Sequence, residues 1–141
     1  MLIQPNLIIA PTDKNDFDEI VQYISQFELD NRALEPDQFL VAKHQNVLVG
    51  FGRIRSYADC EELCSLGVIE NERLKGIGKE LAKALVKKAR KPLYLVCIIP
   101  EFFEPHGFKI TKNYPIELQD KLSYCTNELV VKETYVVMKK G

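Results

Sequence analysis

The 141-residue chain lacks what would commit it to a membrane, a nucleic acid or a metal. No apolar run approaches the ~20 residues that a membrane-spanning helix needs, and the N-terminus lacks a signal-peptide pattern. Excess charge is missing as well. There are 19 Lys+Arg against 20 Asp+Glu, a formal net charge of -1. No bulk field therefore favours nucleic acid or an anionic membrane. The four cysteines (Cys60, Cys64, Cys97 and Cys125) form no Cys-x-x-Cys pair, so no metal site is expected from their spacing. Three of them fall in strand-like segments, where a reduced buried thiol is the ordinary outcome. A cytoplasmic location is the matching expectation. No repeat, low-complexity tract or linker interrupts the chain. Its length and 46% apolar content predict a single domain over residues 1–141.

What is present is concentrated between Leu66 and Arg90. The strand end Leu66-Gly67-Val68 is followed by a polar turn, then Arg73-Leu74-Lys75-Gly76-Ile77-Gly78, then a helix. Glycines let a ligand approach the main chain, and a helix N-terminus carries about half a positive charge. With Arg73, Lys75 and Lys79 around the same point, the stretch predicts a pyrophosphate site. A dinucleotide fingerprint would need a third glycine where Leu81 stands. A P-loop would need a hydroxyl where Glu80 stands. The pattern that remains is Arg-x-x-Gly-x-Gly between a strand and a helix.

The rest of the chain supplies a scaffold for that loop. Leu2 to Ile9 reads as a first strand, and Lys14 to about Gln26 as an amphipathic helix with Phe17, Ile20, Val21, Ile24 and Phe27 at helical spacing. Glu28 to Asp37 is polar, holds Pro36, and reads as a connector or a substrate loop that could include a short second helix. Phe39–Lys43 and Val47–Ser56 form a hairpin, and Asp59–Val68 follows as a third strand. Gly50 and Gly52 imply a bulge or a close backbone approach. The helix Gly76–Arg90 ends before Pro92, and the apolar run Leu93–Ile99 reads as a buried parallel strand. A right-handed crossover would make it a neighbour of Asp59–Val68. Glu101–Glu104 is a short helix and Phe108–Ile110 a strand. Thr111–Leu129 gives no clear periodicity, and Glu133–Met138 is a last strand.

Three segments in this order resemble the GNAT superfamily of N-acetyltransferases. They are the strand end Leu66-Gly67-Val68, the loop Arg73 to Gly78, and Phe102-Phe103-Glu104-Pro105-His106-Gly107-Phe108. Glu62-Leu63-Cys64-Ser65-Leu66-Gly67-Val68 also resembles the matching strand of amino-acid N-acetyltransferases of the N-acetylglutamate-synthase kind. The resemblance implies an α/β (α+β) fold: a mixed, mostly antiparallel sheet with one central parallel pair joined by a crossover helix, and helices on both faces. It implies acetyl-CoA as co-substrate, held by Leu66, Gly67, Val68, Arg73, Leu74, Lys75, Gly76, Ile77 and Gly78. A small-molecule amine is the implied acceptor, and superfamily members often form homodimers.

The resemblance places a general base at Glu62, acting through water, with Glu61 as the competitor if a bulge flips the strand face. Arg53 and Arg55 share a face of their strand. They either receive a substrate carboxylate or pair with Asp59, Glu61 or Glu62. The family tyrosine that protonates the leaving thiolate aligns with Phe103, and the asparagine expected after the parallel strand is absent. Tyr124, Tyr135 and His106 are the substitutes on offer. Cys97, in an apolar strand with no adjacent cation, is expected to be inert, so direct attack by the amine is favoured over a ping-pong route. The lack of the tyrosine leaves a non-catalytic acyl-CoA-binding domain as the alternative, with a protein N-acetyltransferase behind it.

Overall fold

The computed structural model describes residues 7–69, 76–128 and 134–141. The Asp13 carboxylate accepts the Asp16 amide at 2.8 Å and so starts helix α1 (Lys14–Gln26) directly after strand β1 (Leu7–Pro11). A 3-10 turn at Pro36–Gln38 leads into β2 (Phe39–His44), and β3 (Val47–Ser56) and β4 (Glu61–Val68) follow as an antiparallel run. Helix α2 (Ile77–Lys88) crosses back to β5 (Leu93–Cys97), which is parallel to β4. A short helix α3 (Pro100–Phe103) precedes β6 (Phe108–Ile110), and helix α4 (Ile116–Glu128) precedes β7 (Val136–Lys140). The seven strands lie in the order β1-β2-β3-β4-β5-β7-β6, and β4/β5 is the parallel pair. This is the mixed, mostly antiparallel sheet that the resemblance implied. No helix among the described residues is long and apolar enough to cross a membrane.

Helices cover both faces. Ile20 and Ile24 of α1 pack with Phe39, Val41, Leu48 and Phe51 on one side. Ile77, Leu81 and Leu85 of α2 pack on the other side, against Ala42, Val49, Ile54 and Leu63. The α2 helix comes so close to β3 that a Cβ on Gly52 would lie 2.6 Å from Leu85 Cδ1. The expectation of a close approach at that glycine holds.

Three local readings change. Thr111–Leu129 hides helix α4, whose buried positions are Leu118, Lys121 and Cys125. A lysine at a core position breaks the apolar stripe by which a helix is recognised. The last strand runs Val136–Lys140 rather than Glu133–Met138. In β4, Ser65 has φ 53°, and the pairing to β3 shifts between Phe51/Arg53. That bulge moves Ser65 onto the face of Cys64 and turns Leu66 towards α2. Cys64 and Ser65 therefore share a face, and Leu66 lies on the other. Glu61 and Glu62 lie before the bulge, which does not exchange their faces.

Candidate active site

The parallel ladder joins only Glu61 to Leu93 and Glu62 to Tyr94. Beyond it the strands part, and two cavities fill the gap. The first, of ≈ 370 Å³, is lined by Leu66, Gly67 and Val68 of β4, by Gly76, Gly78 and Lys79 at the start of α2, and by Ile99 and Phe102. Gly76 has φ 77°, a left-handed turn that a glycine adopts at no steric cost, and it brings the chain into α2. Ile77 is fully buried and anchors that helix start in the core. The expected ligand-holding residues Leu66, Gly67, Val68, Gly76 and Gly78 thus meet at one cleft. Arg73, Leu74 and Lys75 lie outside the described residues. An apolar cleft that ends on a helix N-terminus and Lys79 suits a slender apolar arm with an anionic end.

The second cavity, of ≈ 300 Å³, lies between β4 and β5 nearer the ladder. Leu63, Cys64, Leu95, Cys97, Phe103, Lys121, Cys125, Asp30 and Tyr135 are among its walls. Phe27, Leu29, Leu66 and Ile99 line both cavities, so the two adjoin.

A buried charge cluster stands behind the second chamber. Lys121 Nζ lies 2.8 Å from Asp30 Oδ2 and 2.7 Å from Glu62 Oε2. The first contact is a hydrogen bond, whereas the second is an ion pair without hydrogen-bond alignment. Tyr57 donates its hydroxyl to Glu62 Oε1 at 2.9 Å. Burial works to lower the Lys121 pKa, but Cys64, Glu62 and Asp30 outweigh it and hold the ammonium above the usual lysine value. Burial likewise works to raise Asp30, yet Arg32 and Lys121 bring its carboxyl below the ordinary range. Lys121 entered the sequence reading only as part of a tail, with Pro115 and Cys125, that resembles small relatives of amino-acid N-acetyltransferases, and it was given no role. A lone lysine in an unassigned segment carries no signal of burial.

Glu62 is fully buried and does not line the chamber; Lys121 stands between. The competitor Glu61 accepts the Arg90 and Lys91 amides at 2.6 and 2.9 Å, so it fastens the α2–β5 junction. Arg53 departs from both readings made of it. All three guanidinium nitrogens are engaged inside the protein: Nε with Ser65 Oγ, one terminal nitrogen with the Ala33 carbonyl and Gln38 Oε1, the other with the Asp30 carbonyl. It neither faces a ligand nor pairs with Asp59, Glu61 or Glu62. Arg55 lies over the Tyr57 ring at 5.3 Å, and it is not a wall of the chamber.

Of the three candidate acids, Tyr135 lines the chamber. Tyr124 stacks under Arg32 at 3.8 Å, and His106 packs on Phe102. Burial, then Lys79 and Lys83, push the His106 pKa down. All four cysteines are free and buried. Burial pushes the Cys64, Cys97 and Cys125 thiols up to about 11 each, and no group of side chains among the described residues could hold a metal ion.

A crossover helix thus opens on a cleft, between parallel strands that part at their ends. The chain belongs to the acetyltransferase (GNAT) family, which matches residues 8–108. Among solved structures it is similar to Rv2747 from Mycobacterium tuberculosis in complex with CoA and NLQ, with TM-score 0.76 and 19% identity, covering 94% of this chain and 98% of that one. N-acetylglutamate synthase from Neisseria gonorrhoeae, complexed with coenzyme A and N-acetyl-glutamate, gives TM-score 0.74 at 17% identity over 95% of this chain. The chain spans only 34% of that synthase. Arabidopsis thaliana Naa50 in complex with a bisubstrate analogue, CoA-Ac-MVNAL, gives TM-score 0.70 at 14% identity over 96% of this chain and 99% of that one. No curated protein matches the sequence. At these identities the structural likeness speaks for the fold.

Proposed function

We propose that this domain is an acetyl-CoA-dependent N-acetyltransferase that moves an acetyl group to the amine of a small molecule by direct attack. One observation carries the reading: the two cavities adjoin at Phe27, Leu29, Leu66 and Ile99, so donor and acceptor would meet in the gap between β4 and β5. Acetyl-CoA supplies the thioester. Leu66, Gly67, Val68, Gly76 and Gly78 would hold it, with Lys79 near its anionic part. Where β4 runs on beyond the two ladder pairs, its main chain would be the source of N–H donors for a developing oxyanion.

The acceptor must lose a proton before it attacks. An alkylamine of pKa about 10.4 requires roughly 5 kcal/mol for this at pH 7. An apolar chamber next to the Lys121 cation disfavours a second ammonium and lowers that requirement. Glu62 belongs to the proposal as a positioning residue. Its charge keeps Lys121 in place, and any base role runs through Lys121 rather than to the acceptor directly. Arg53 enters as a brace for the acceptor loop.

Release of free CoA thiol, measured over a panel of amines and short peptides, tests the reading. Turnover with a small amine is the expected result. Tight CoA binding with no release for any amine would instead favour a non-catalytic acyl-CoA-binding domain, the reading supported by Phe103, which has no hydroxyl to give the leaving thiolate.

A further inference from the structure

Lys121 is the single cation in the wall of the acceptor chamber among the described residues, and its side chain is only 4% exposed. An ammonium has three N–H groups. Asp30 Oδ2 takes one at 2.8 Å, and Glu62 Oε2 approaches at 2.7 Å without hydrogen-bond alignment. Lys121 therefore retains donor capacity beside the chamber. The charges do not balance either. Arg32 and Lys121 contact Asp30, and Arg53 lies 3.9 Å from it, while Glu62 is the second carboxylate. Three cations against two anions leave the cluster one positive charge in excess among the described residues. Arg53 cannot meet an anion, because its nitrogens are bonded to interior acceptors.

Of the remaining wall, Leu63, Leu95, Cys97, Phe103 and Cys125 are apolar or thiol, Ser65 is bonded to Arg53 and the Asp30 carbonyl, Tyr135 brings a phenol, and Glu28 and Asp30 are acidic. Among the described residues it offers no second cation for a second carboxylate, and a buried charge without a partner is strongly disfavoured. We propose that the acceptor is a small amine carrying one carboxylate and an otherwise uncharged body, with Lys121 as the carboxylate anchor. This rests on the acetyltransferase reading above and names the substrate class of the same chamber. It transfers to Lys121 the carboxylate that sequence reasoning gave to Arg53 and Arg55, and it sets the chamber against dicarboxylic acceptors.

The test compares norvaline, norvalinamide and glutamate in the CoA-release assay on the wild-type domain. The amide has the less basic amine and so the larger unprotonated fraction near neutral pH, and preference for the acid against that advantage reports on the site. Norvaline is expected to exceed both others in kcat/KM by on the order of tenfold or more. Lys121→Met should erase the difference between acid and amide, and Lys121→Arg should keep part of it. A second readout needs no turnover. Norvaline should slow iodoacetamide labelling of Cys64, Cys97 and Cys125 in the wild type, followed by peptide mass spectrometry, and norvalinamide should not. An amide or glutamate that matches norvaline overturns the proposal, as does acid preference that survives in Lys121→Met. If no amine releases CoA, the acetyltransferase reading fails, while thiol protection by the acid alone would still support the Lys121 anchor. Equal or absent protection by acid and amide would remove it.

Discussion

Arg53 Nε donates to the Ser65 hydroxyl at 3.0 Å, and that hydroxyl donates onward to the Asp30 carbonyl at 2.9 Å. The β4 bulge and the loop after α1 are therefore tied through a fully buried guanidinium. Both elements border the acceptor chamber. Arg53→Met removes the fork, so that the Ser65 hydroxyl, Gln38 Oε1 and the Asp30 and Ala33 carbonyls each lose one donor. It should destabilise the domain by roughly 3–5 kcal/mol, the range for breaking a buried charged contact. Urea unfolding measures this. A loss within about 0.5 kcal/mol, the usual range for surface substitutions, would mean that the brace is dispensable.

Asp30 makes the fold sensitive to acid. Burial raises its pKa, but the Arg32 hydrogen bond and Lys121 bring it below the ordinary 3.8. A depressed native pKa means that the unfolded chain takes up the proton first. The stabilisation is thus complete above the ordinary value and is lost as pH falls through it towards the native one. Unfolding free energy followed from pH 7 downward should drop more steeply in the wild type than in Asp30→Asn. Parallel acid limbs would rule out this role.

How legible was this site before the structure? The hairpins, α2 and the parallel pair were readable because apolar periodicity, Pro92 and the glycines act locally. The cleft residues Gly76 and Gly78 came from the same local signals, and Leu66 to Val68 from the family resemblance. The second chamber was readable only in part: Glu28 and Asp30 fall in the segment read as a connector or substrate loop and Tyr135 was a candidate acid, but nothing joined them to Lys121. Lys121 meets Asp30 from 91 positions away and lies in a helix whose stripe it interrupts. The partners of Arg53, including Asp30, Ala33 and Gln38, sit in a connector whose polar residues give no sign of being drawn inward. Sequence spacing ranks partners by nearness along a strand, so it offered Asp59, Glu61 and Glu62 instead. The bulge at Ser65 lies opposite Gly52, where a bulge was one of the two readings, but the extra residue is on β4, which carried no signal of it.

Glu62→Gln removes the charge behind Lys121 while leaving a side chain of the same size. CoA binding by calorimetry should be unchanged, because Glu62 does not border the cleft that would hold it. The acetyl-transfer rate should fall about tenfold or more, and its pH profile should change shape as Lys121 loses one of its two carboxylates. An unchanged rate and profile would make Glu62 merely structural.

The thiols predict the kinetic order. Cys97 is pushed up to about 11 by burial, and it makes a 3.8 Å sulfur contact to Met138. Near pH 8 only about one thiol in a thousand would be ionised at such a pKa, too few for an efficient nucleophile. Incubation with acetyl-CoA alone should leave the protein mass unchanged, and Cys97→Ala should keep most of its transfer rate. An acetylated Cys97 peptide would establish the ping-pong route instead.

The remaining question is the proton for the departing thiolate. Phe103 fills the family tyrosine position with a buried ring in edge contact with Phe102 at 4.9 Å. No hydroxyl can come from there. Tyr135, just ahead of β7, lines the same chamber as Phe103, whereas Tyr124 and His106 do not line it. If Tyr135 supplies the proton, Tyr135→Phe should lower kcat by the roughly 10²–10⁴-fold typical of a general acid, with little change in KM for acetyl-CoA. A cysteine-type thiol of pKa about 8.5 leaves tolerably without help, which favours the lower end of that range. The decisive comparison is between leaving groups. An acetyl thioester of a more acidic aryl thiol needs no proton to depart, so the variant should approach the wild-type rate with it. A deficit that persists with the aryl thioester would assign Tyr135 to shaping the chamber.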